Sequence, residues 1–270
     1  MNEVLYDVFL KSFPKMFVEF HDFNDRLDLN DATIFKKFDE TGTNLVGFSV
    51  VRENCIGLLC VLPEFRRRGF GSDLLKQSEE FIAANGYSEV LLGYKGERTS
   101  LFKGVPLTEE NYAFFHSKGY DNDFSFYDYE IQLVEDDQKE NSKYTVTDFS
   151  SNNSLRMLLL QFLEEKDKTM YEKYVFDRDV KFLVARDDKS INGICAYKIN
   201  SDSVLEIHDL AAYPNFKVDC KEFLLGKMAE VSKENDCKKV VVCNLNNPSF
   251  YQKTYKPVEV NSYWRGSKSC

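Results

Sequence analysis

The sequence feature that most constrains the fold is the stretch from Leu59 to Ser72, where an apolar run leads through three arginines and two glycines. The apolar run ends at Pro63 and is typical of a β-strand, whereas apolar residues recur at helical spacing over 73–82. Glycine lets the main chain approach a ligand closely because it has no Cβ atom. The free N–H groups and the positive dipole end of a helix favour an anion. The stretch is therefore predicted to hold a diphosphate group.

The spacing of the glycines excludes two common phosphate-binding patterns. The stretch lacks the Gly-Lys-Ser/Thr of a Walker loop and the third glycine of a dinucleotide fingerprint. It does fit the pattern Val-x-Pro-x-x-Arg/Gln-x-x-Gly-x-Gly/Ala, with matches at Val61, Pro63, Arg66, Gly69 and Gly71. The stretch thus resembles the acetyl-CoA signature of the GNAT N-acetyltransferases.

The resemblance implies a set of residues that bind acetyl-CoA as a co-substrate. The backbone of the strand would contact the pantetheine arm, and the N–H groups of the loop and the helix start would hold the diphosphate. In this part of the site, peptide geometry is expected to matter more than the arginine side chains. The residues so implied are Leu59, Cys60, Val61, Arg66, Arg67, Arg68, Gly69, Phe70, Gly71 and Ser72.

The order of the elements predicts an α/β (α+β) fold. Strand-like runs at 32–38, 45–51 and 55–62 are separated by polar turns and indicate an antiparallel meander. The strand predicted at 89–94 follows a helix and should run parallel to its predecessor. In the resembled fold, a mixed and mostly antiparallel sheet is flanked by helices, and the ends of a splayed parallel pair admit the thioester.

A polar and charged run at 135–143 is predicted to be a linker, after which the order of elements repeats. We therefore expect two tandem GNAT-like domains, at 1–134 and 144–270. An offset of 151 residues aligns Ala212–Glu222 with the signature, but Gly69 then corresponds to Cys220 and Gly71 to Glu222. A carboxylate beside a diphosphate is unfavourable, so the second copy is predicted to be degenerate and not to bind CoA.

The resemblance is less complete at the residues that would carry proton transfer. The tyrosine that commonly serves as the acid in GNAT enzymes corresponds here to Phe115, which cannot donate a proton. Substitute donors are Tyr112 and His116 on the same predicted helix and Tyr94 at the end of the preceding strand. The glutamate that is the base in some relatives corresponds to Cys55. In the second copy, Glu206 and Tyr251 occupy the base and acid positions, either as relics of duplication or as contributors to the acceptor site.

The composition limits the kinds of binding partner and favours one cellular compartment. A net charge of −9 argues against nucleic acid, and no apolar run is long enough for a membrane span. The seven cysteines are scattered without a Cys-x-x-Cys pair, and only three histidines are present. Neither a disulfide framework nor a metal site is predicted, and a reducing cytoplasm is favoured. We expect a monomer or a homodimer.

The leading hypothesis is an acetyl-CoA-dependent N-acetyltransferase that acts on a primary amine of a small molecule or a peptide. A second hypothesis is a CoA-binding sensor or pseudoenzyme without turnover, which Phe115 and Cys55 favour. The third is a structural or regulatory interaction module, for which an intact anion-binding loop would have no use.

Overall fold

The computed structural model describes residues 2–14, 20, 23–24, 32–93, 104–133, 143–149, 156–157, 159, 179–187, 190–212, 218–245 and 247–270. The helices in these ranges are α1 (Asn2–Ser12), α2 (Phe70–Ala84), α3 (Glu109–His116), α4 (Val218–Glu234) and α5 (Ser249–Gln252). The strands in the first half are β1 (Thr33–Phe38), β2 (Leu45–Arg52), β3 (Cys55–Val61), β4 (Glu89–Leu92), β5 (Val105–Pro106) and β6 (Asp121–Ile131). Those in the second half are β7 (Thr145–Asp148), β8 (Lys181–Arg186), β9 (Ile191–Ile199), β10 (Val204–Ala212), β11 (Lys239–Leu245) and β12 (Val258–Ser269).

The first of two compact units comprises Met1–Ser125 together with Tyr263–Cys270. Its strands follow the order β1-β2-β3-β4-β12, and all neighbours in this sheet are antiparallel except β3 and β4, which are parallel. Apolar residues of α1 pack on β2 and β3 in a core that contains Leu5, Phe9, Phe48 and Leu58. Burial of these side chains stabilises the meander on which the signature loop is carried.

The last strand of the chain completes the sheet of the first unit, which the sequence did not lead us to expect. Residues 266–269 of β12 pair with β4 in the register Gly266↔Leu92 to Ser269↔Glu89. Trp264 pairs with Val105 of β5 and is fully buried, at 0% exposure. Residues separated by more than half of the chain therefore form one core.

The second unit comprises Phe126–Ser262, with the strand order β6-β11-β10-β9-β8-β7. Its parallel pair is β10 and β11, in register from Val204↔Lys239 to Ile207↔Val242. The amphipathic helix α4 places Leu224 and Met228 in a core with Leu205 and Val242 of the sheet. Each unit thus has a mixed sheet with one parallel pair and a helix packed on it.

The predicted fold class is confirmed: a mixed, mostly antiparallel sheet flanked by helices. The predicted strand order of the second half is found as β7 to β11. The domain division at 134 and 144 stays a prediction, because the predicted linker lies almost entirely outside the described residues, while the compact units divide within β6 and β12. Among the described residues, none of the helices is long and apolar enough to cross a membrane.

Candidate active site

The signature stretch forms a strand, a tight loop and a helix in direct succession. β3 ends at Val61, a short 3₁₀ turn covers Pro63–Phe65, and α2 begins at Phe70. Arg67 and Gly69 adopt positive φ angles of 61° and 89°, which reverse the chain direction before the helix. The first intrahelical bond joins the Asp73 N–H to the carbonyl oxygen of Gly69, 3.0 Å away. The N–H groups of residues 70–72 precede that bond, as an anion-binding helix start requires.

The arginine side chains of this loop have different structural roles. Arg66 donates from Nε to the carbonyl oxygen of Val61 at 3.1 Å and from Nη2 to that of Ser12 at 3.0 Å. The guanidinium carbon of Arg68 lies 5.3 Å from the centre of the Phe65 ring, a cation–π distance. Arg66 therefore holds the loop against the end of α1.

A cavity of about 550 Å³ opens where the parallel strands separate. The β3–β4 register ends at Ile56↔Leu92, so residues 57–61 of β3 continue without a parallel partner in that register and line the cavity. Gly69, Gly71 and Ser72 also line it. The cavity thus joins the splayed strand to the anion-binding loop, which suits an elongated ligand with a phosphate group.

Most of the residues implied for cofactor binding come together in this cavity. Those in its lining are Leu59, Cys60, Val61, Arg66, Arg67, Gly69, Gly71 and Ser72. Arg68 and Phe70 are not among the lining residues of the described chain: Arg68 lies over Phe65, and Phe70 packs edge-on against the same ring at 6.1 Å. These two side chains shape the loop from its other side.

Burial also sets the protonation state of the Cys60 thiol, because this residue is only 3% exposed. Desolvation raises its pKa to about 12, because the thiolate would lose its hydration. Cys60 is therefore a neutral wall residue of the cavity at physiological pH.

The residues proposed as acids are placed differently from one another. Tyr112 and His116 stack at 5.6 Å on α3, both exposed, and neither is among the lining residues of the described chain. Tyr94 lies outside the described residues. Phe115 does line the cavity and is 7% exposed, so the position of the usual tyrosine faces the ligand space with a phenyl ring.

The start of α3 brings polar groups to the cavity that sequence reasoning missed. Glu110 and Asn111 line it. Thr108 caps the helix, since its Oγ1 accepts from the Asn111 N–H at 3.2 Å, and Asn111 Nδ2 donates to the Pro106 carbonyl oxygen at 3.1 Å. The Thr-x-x-Asn spacing signals this cap, but nothing local indicates that the first turn meets the cavity.

Residues at the other expected acid–base positions are engaged or buried. The Cys55 thiol donates to the carbonyl oxygen of Gly93. In the second unit, Tyr251 is 4% exposed, and burial raises the pKa of its phenol. Glu206 is half-buried and accepts a hydrogen bond from Asn200. Of the stretch that aligns with the signature at an offset of 151 residues, residues 213–217 lie outside the described chain, while Cys220 is buried in α4.

A splayed parallel pair that leads into an anion-binding loop is the arrangement that the resemblance to the GNAT N-acetyltransferases implies. Residues 3–98 match the model described as the acetyltransferase (GNAT) family. The resemblance seen in the signature is thereby confirmed. No curated protein matches the sequence.

Solved structures share the fold at low sequence identity. One is described as a GCN5-related glucosamine N-acetyltransferase region of a fungal multi-domain GH3 β-N-acetylglucosaminidase. It is 17% identical in sequence, with a TM-score of 0.75, and the match covers 99% of this chain and 37% of that one. A tandem GNAT protein from the clavulanic acid biosynthesis pathway gives 11% identity, a TM-score of 0.65, and coverage of 99% and 94%. A GCN5-related N-acetyltransferase from Sphaerobacter thermophilus is 12% identical in sequence, with a TM-score of 0.66. The match covers 98% of this chain and 91% of that one. The chain spans 37% of the fungal protein's length, and these likenesses show the fold alone.

Proposed function

We propose that this protein is an acetyl-CoA-dependent N-acetyltransferase that acts on a primary amine of a small molecule or a peptide. The observation that carries the proposal is the single cavity that links residues 57–61 of β3 to Gly69, Gly71 and Ser72 of the signature. A cavity of this shape can hold a thioester arm along the strand and a diphosphate at the helix start.

The chain's own groups suit the tasks that acetyl transfer requires. Acetyl-CoA supplies an activated carbonyl; the amine nitrogen bonds to that carbon while the carbon–sulfur bond breaks and CoA leaves with the sulfur's electron pair. Backbone N–H groups of β3 beyond Ile56 would polarise the carbonyl oxygen. The Glu110 carboxylate lines the cavity and would attract a cationic amine and accept its proton.

Protonation of the leaving thiolate requires an acid. Tyr94, Tyr112 and His116 remain the candidates. Phe115 at the usual tyrosine position favours a second candidate function, a CoA-binding protein without turnover. Both candidates need the same cofactor site and differ in catalysis.

Location and assembly belong to the same proposal. The seven cysteines are scattered in the sequence without a Cys-x-x-Cys pair, which favours a reducing cytoplasm. The protein would act there as a monomer or a homodimer, with no nucleic-acid or membrane partner.

Two measurements test the proposal. Calorimetry with acetyl-CoA should show one molecule bound per chain, and absence of binding would refute both candidate functions. Release of free CoA thiol across a panel of primary amines, polyamines, amino sugars and peptides should then identify an acceptor. A Gly69→Asp variant, assayed in parallel, accounts for background hydrolysis. Tight binding with no thiol release from any amine would favour the function without turnover.

A further inference from the structure

A cluster of three metal-ligating side chains lies in the second unit, and none of the three is among the lining residues of the cavity described above. It consists of Glu206 and His208 on β10 and Cys243 on β11. One ligand atom from each residue lies within 4.8 Å of the other two. A carboxylate, an imidazole and a thiol, rather than carboxylates alone, make up the group.

The fold explains why residues so distant in sequence meet. Glu206 and His208 are two apart on one strand, so their side chains leave the same face of the sheet. The parallel register pairs Ile207 with Val242, which places Cys243 beside His208 just past the last paired residues. The pairing of β10 with β9 shifts register between Ile207 and Asp209, which locates His208 in a β-bulge. Bulges of this kind re-aim a side chain and are enriched at functional sites.

The distances fit a tetrahedral ion after small side-chain movements. In a tetrahedral zinc site, neighbouring ligand atoms are about 3.3–3.8 Å apart for bonds of about 2.0–2.3 Å. The Nε2 atom of His208 lies 3.7 Å from Oε2 of Glu206, already at this spacing. The limit of 4.8 Å on the remaining pairs leaves about 1 Å to be closed by side-chain rotation.

The surroundings of the cluster hold its ligands in place. Asn200 Nδ2 donates to Oε1 of Glu206 at 3.1 Å, which leaves Oε2 directed at the histidine. Such outer contacts orient first ligands in known metal sites. Cys243 is 5% exposed, and the side chains of His208 and Glu206 are 16% and 31% exposed. An ion would thus be shielded on the thiol side and accessible on the carboxylate side.

We propose that Glu206, His208 and Cys243 bind one zinc ion in the second unit, with a fourth position open to water. The mixed sulfur, nitrogen and oxygen set favours zinc over calcium or magnesium, which prefer oxygen ligands alone. Three protein ligands and one exchangeable position are the pattern of a reactive rather than a purely structural zinc. On binding, the Cys243 S–H proton is released to solvent and the thiolate forms the metal bond.

The test is titration of the purified full-length protein, after treatment with a chelator, with Zn²⁺ by calorimetry and with Co²⁺ by absorption. We expect one ion per chain and, with cobalt, a thiolate-to-metal charge-transfer band. Cys243→Ser should abolish that band, and His208→Gln or Glu206→Gln should weaken binding at least about tenfold. Cys237→Ser, which removes a half-exposed thiol of the same unit, should change neither signal.

Each result bears on the site independently of acetyl transfer. Absence of zinc binding by the unmodified protein overturns the proposal, and this holds even if the variants fold poorly. Binding that survives in the Cys243→Ser and His208→Gln variants, with their circular dichroism unchanged, would place the ion elsewhere and also overturn it.

Discussion

The guanidinium of Arg66 donates a hydrogen bond to the carbonyl oxygen of Ser12 across 3.0 Å, joining the signature loop to the end of the first helix. The same side chain bonds to Val61 at the end of β3. An arginine that the sequence motif associates with the cofactor thus directs two of its five N–H donors at the protein backbone. We therefore expect it to affect ligand binding mainly through the shape of the loop.

Replacing Arg66 should show this positioning role. Arg66→Ala loses both hydrogen bonds, and we expect the free energy of unfolding to fall by about 1 kcal/mol and the affinity for acetyl-CoA about tenfold. Arg66→Lys keeps the charge but not the two-pronged geometry and should resemble Arg66→Ala. Urea unfolding measures the free energy of unfolding, and calorimetry measures the affinity for acetyl-CoA. Arg68→Ala is the control with an equal loss of charge, and an equal loss of affinity in that variant would contradict the positioning role.

Gly69 should separate conformational from electrostatic requirements of the loop. Its φ angle of 89° is one that asparagine tolerates better than most residues, and a Cβ there would meet nothing within 4 Å. Gly69→Asn should therefore bind acetyl-CoA within a few-fold of the unmodified protein. Gly69→Asp is nearly the same shape, but its charge beside a diphosphate should weaken binding on the order of 100-fold. If calorimetry gave equal affinities for the Gly69→Asn and Gly69→Asp variants, the assignment of this loop as the diphosphate site would be wrong.

Phe115 offers a test of the missing acid. A Phe115→Tyr substitution adds a hydroxyl at the cavity wall, where it could protonate a leaving thiolate. If the protein is an acetyltransferase limited by this step, kcat for thiol release should rise by about tenfold or more, with KM for acetyl-CoA unchanged. Phe114→Tyr adds the same hydroxyl to a neighbouring wall residue and serves as control. An unchanged kcat in Phe115→Tyr would mean that protonation of the thiolate does not limit turnover.

Trp264 should carry much of the stability that β12 gives the first unit. It is fully buried against Phe115 and Tyr112, with ring centres 6.0 and 5.7 Å away. Trp264→Ala should lower the free energy of unfolding by about 3–5 kcal/mol. Val258→Ala, on the same strand but 62% exposed, should change it by less than about 0.5 kcal/mol. Denaturant titration compares the two, and similar small losses would count against this role for Trp264.

The buried Cys60 thiol predicts a pH dependence of stability. Burial favours its neutral form and raises its pKa from 9.0 to about 12. This contribution is fully present below pH 9 and is lost as the pH rises toward 12, because the unfolded chain then gains from forming the thiolate. The loss approaches about 1.4 kcal/mol per pH unit. Compared by urea unfolding from pH 8 to 10.5, Cys60→Ala should fall less steeply than the unmodified protein. Cys270→Ala, which removes an exposed thiol, is the control and should leave the pH dependence of the unfolding free energy unchanged. If Cys60→Ala and the unmodified protein showed the same pH dependence, the Cys60 thiol would not contribute to it.

The sequence carried strong signals wherever structure depends on near neighbours. The glycine spacing after Val61 predicted the strand, loop and helix start, since these elements are local in sequence, and the same stretch supplies much of the cavity lining. The last strand escaped prediction because its first half is exposed and Tyr263 and Trp264 are both buried, which breaks the alternation expected of a strand. Its partner β4 lies far earlier in the chain, and pairing of that kind has no local signature.

In the candidate site, too, local features could be predicted from the sequence, whereas contacts between distant residues could not. Phe115 could be located by counting back from Gly119, but the approach of Glu110 to the cavity depends on how α3 packs. The sequence identifies Glu206 only as the counterpart of a base. Its proximity to Cys243, 37 positions later, follows from a strand register that pairs residues 35 positions apart. Scattered cysteines and histidines in a sequence therefore say little about which of them share a site.

Because Tyr263–Cys270 belong to the first compact unit, the order of synthesis matters for this protein. The ribosome makes the signature loop early, yet the sheet that supports it lacks its β12 segment until residues 263–269 have emerged. A nascent chain would expose the β4 edge and the empty place of Trp264 throughout translation of the second unit. The signature cavity would therefore mature only after the second unit had been made, and a fusion or tag that strains β12 would disturb a proposed cofactor site encoded some two hundred residues upstream.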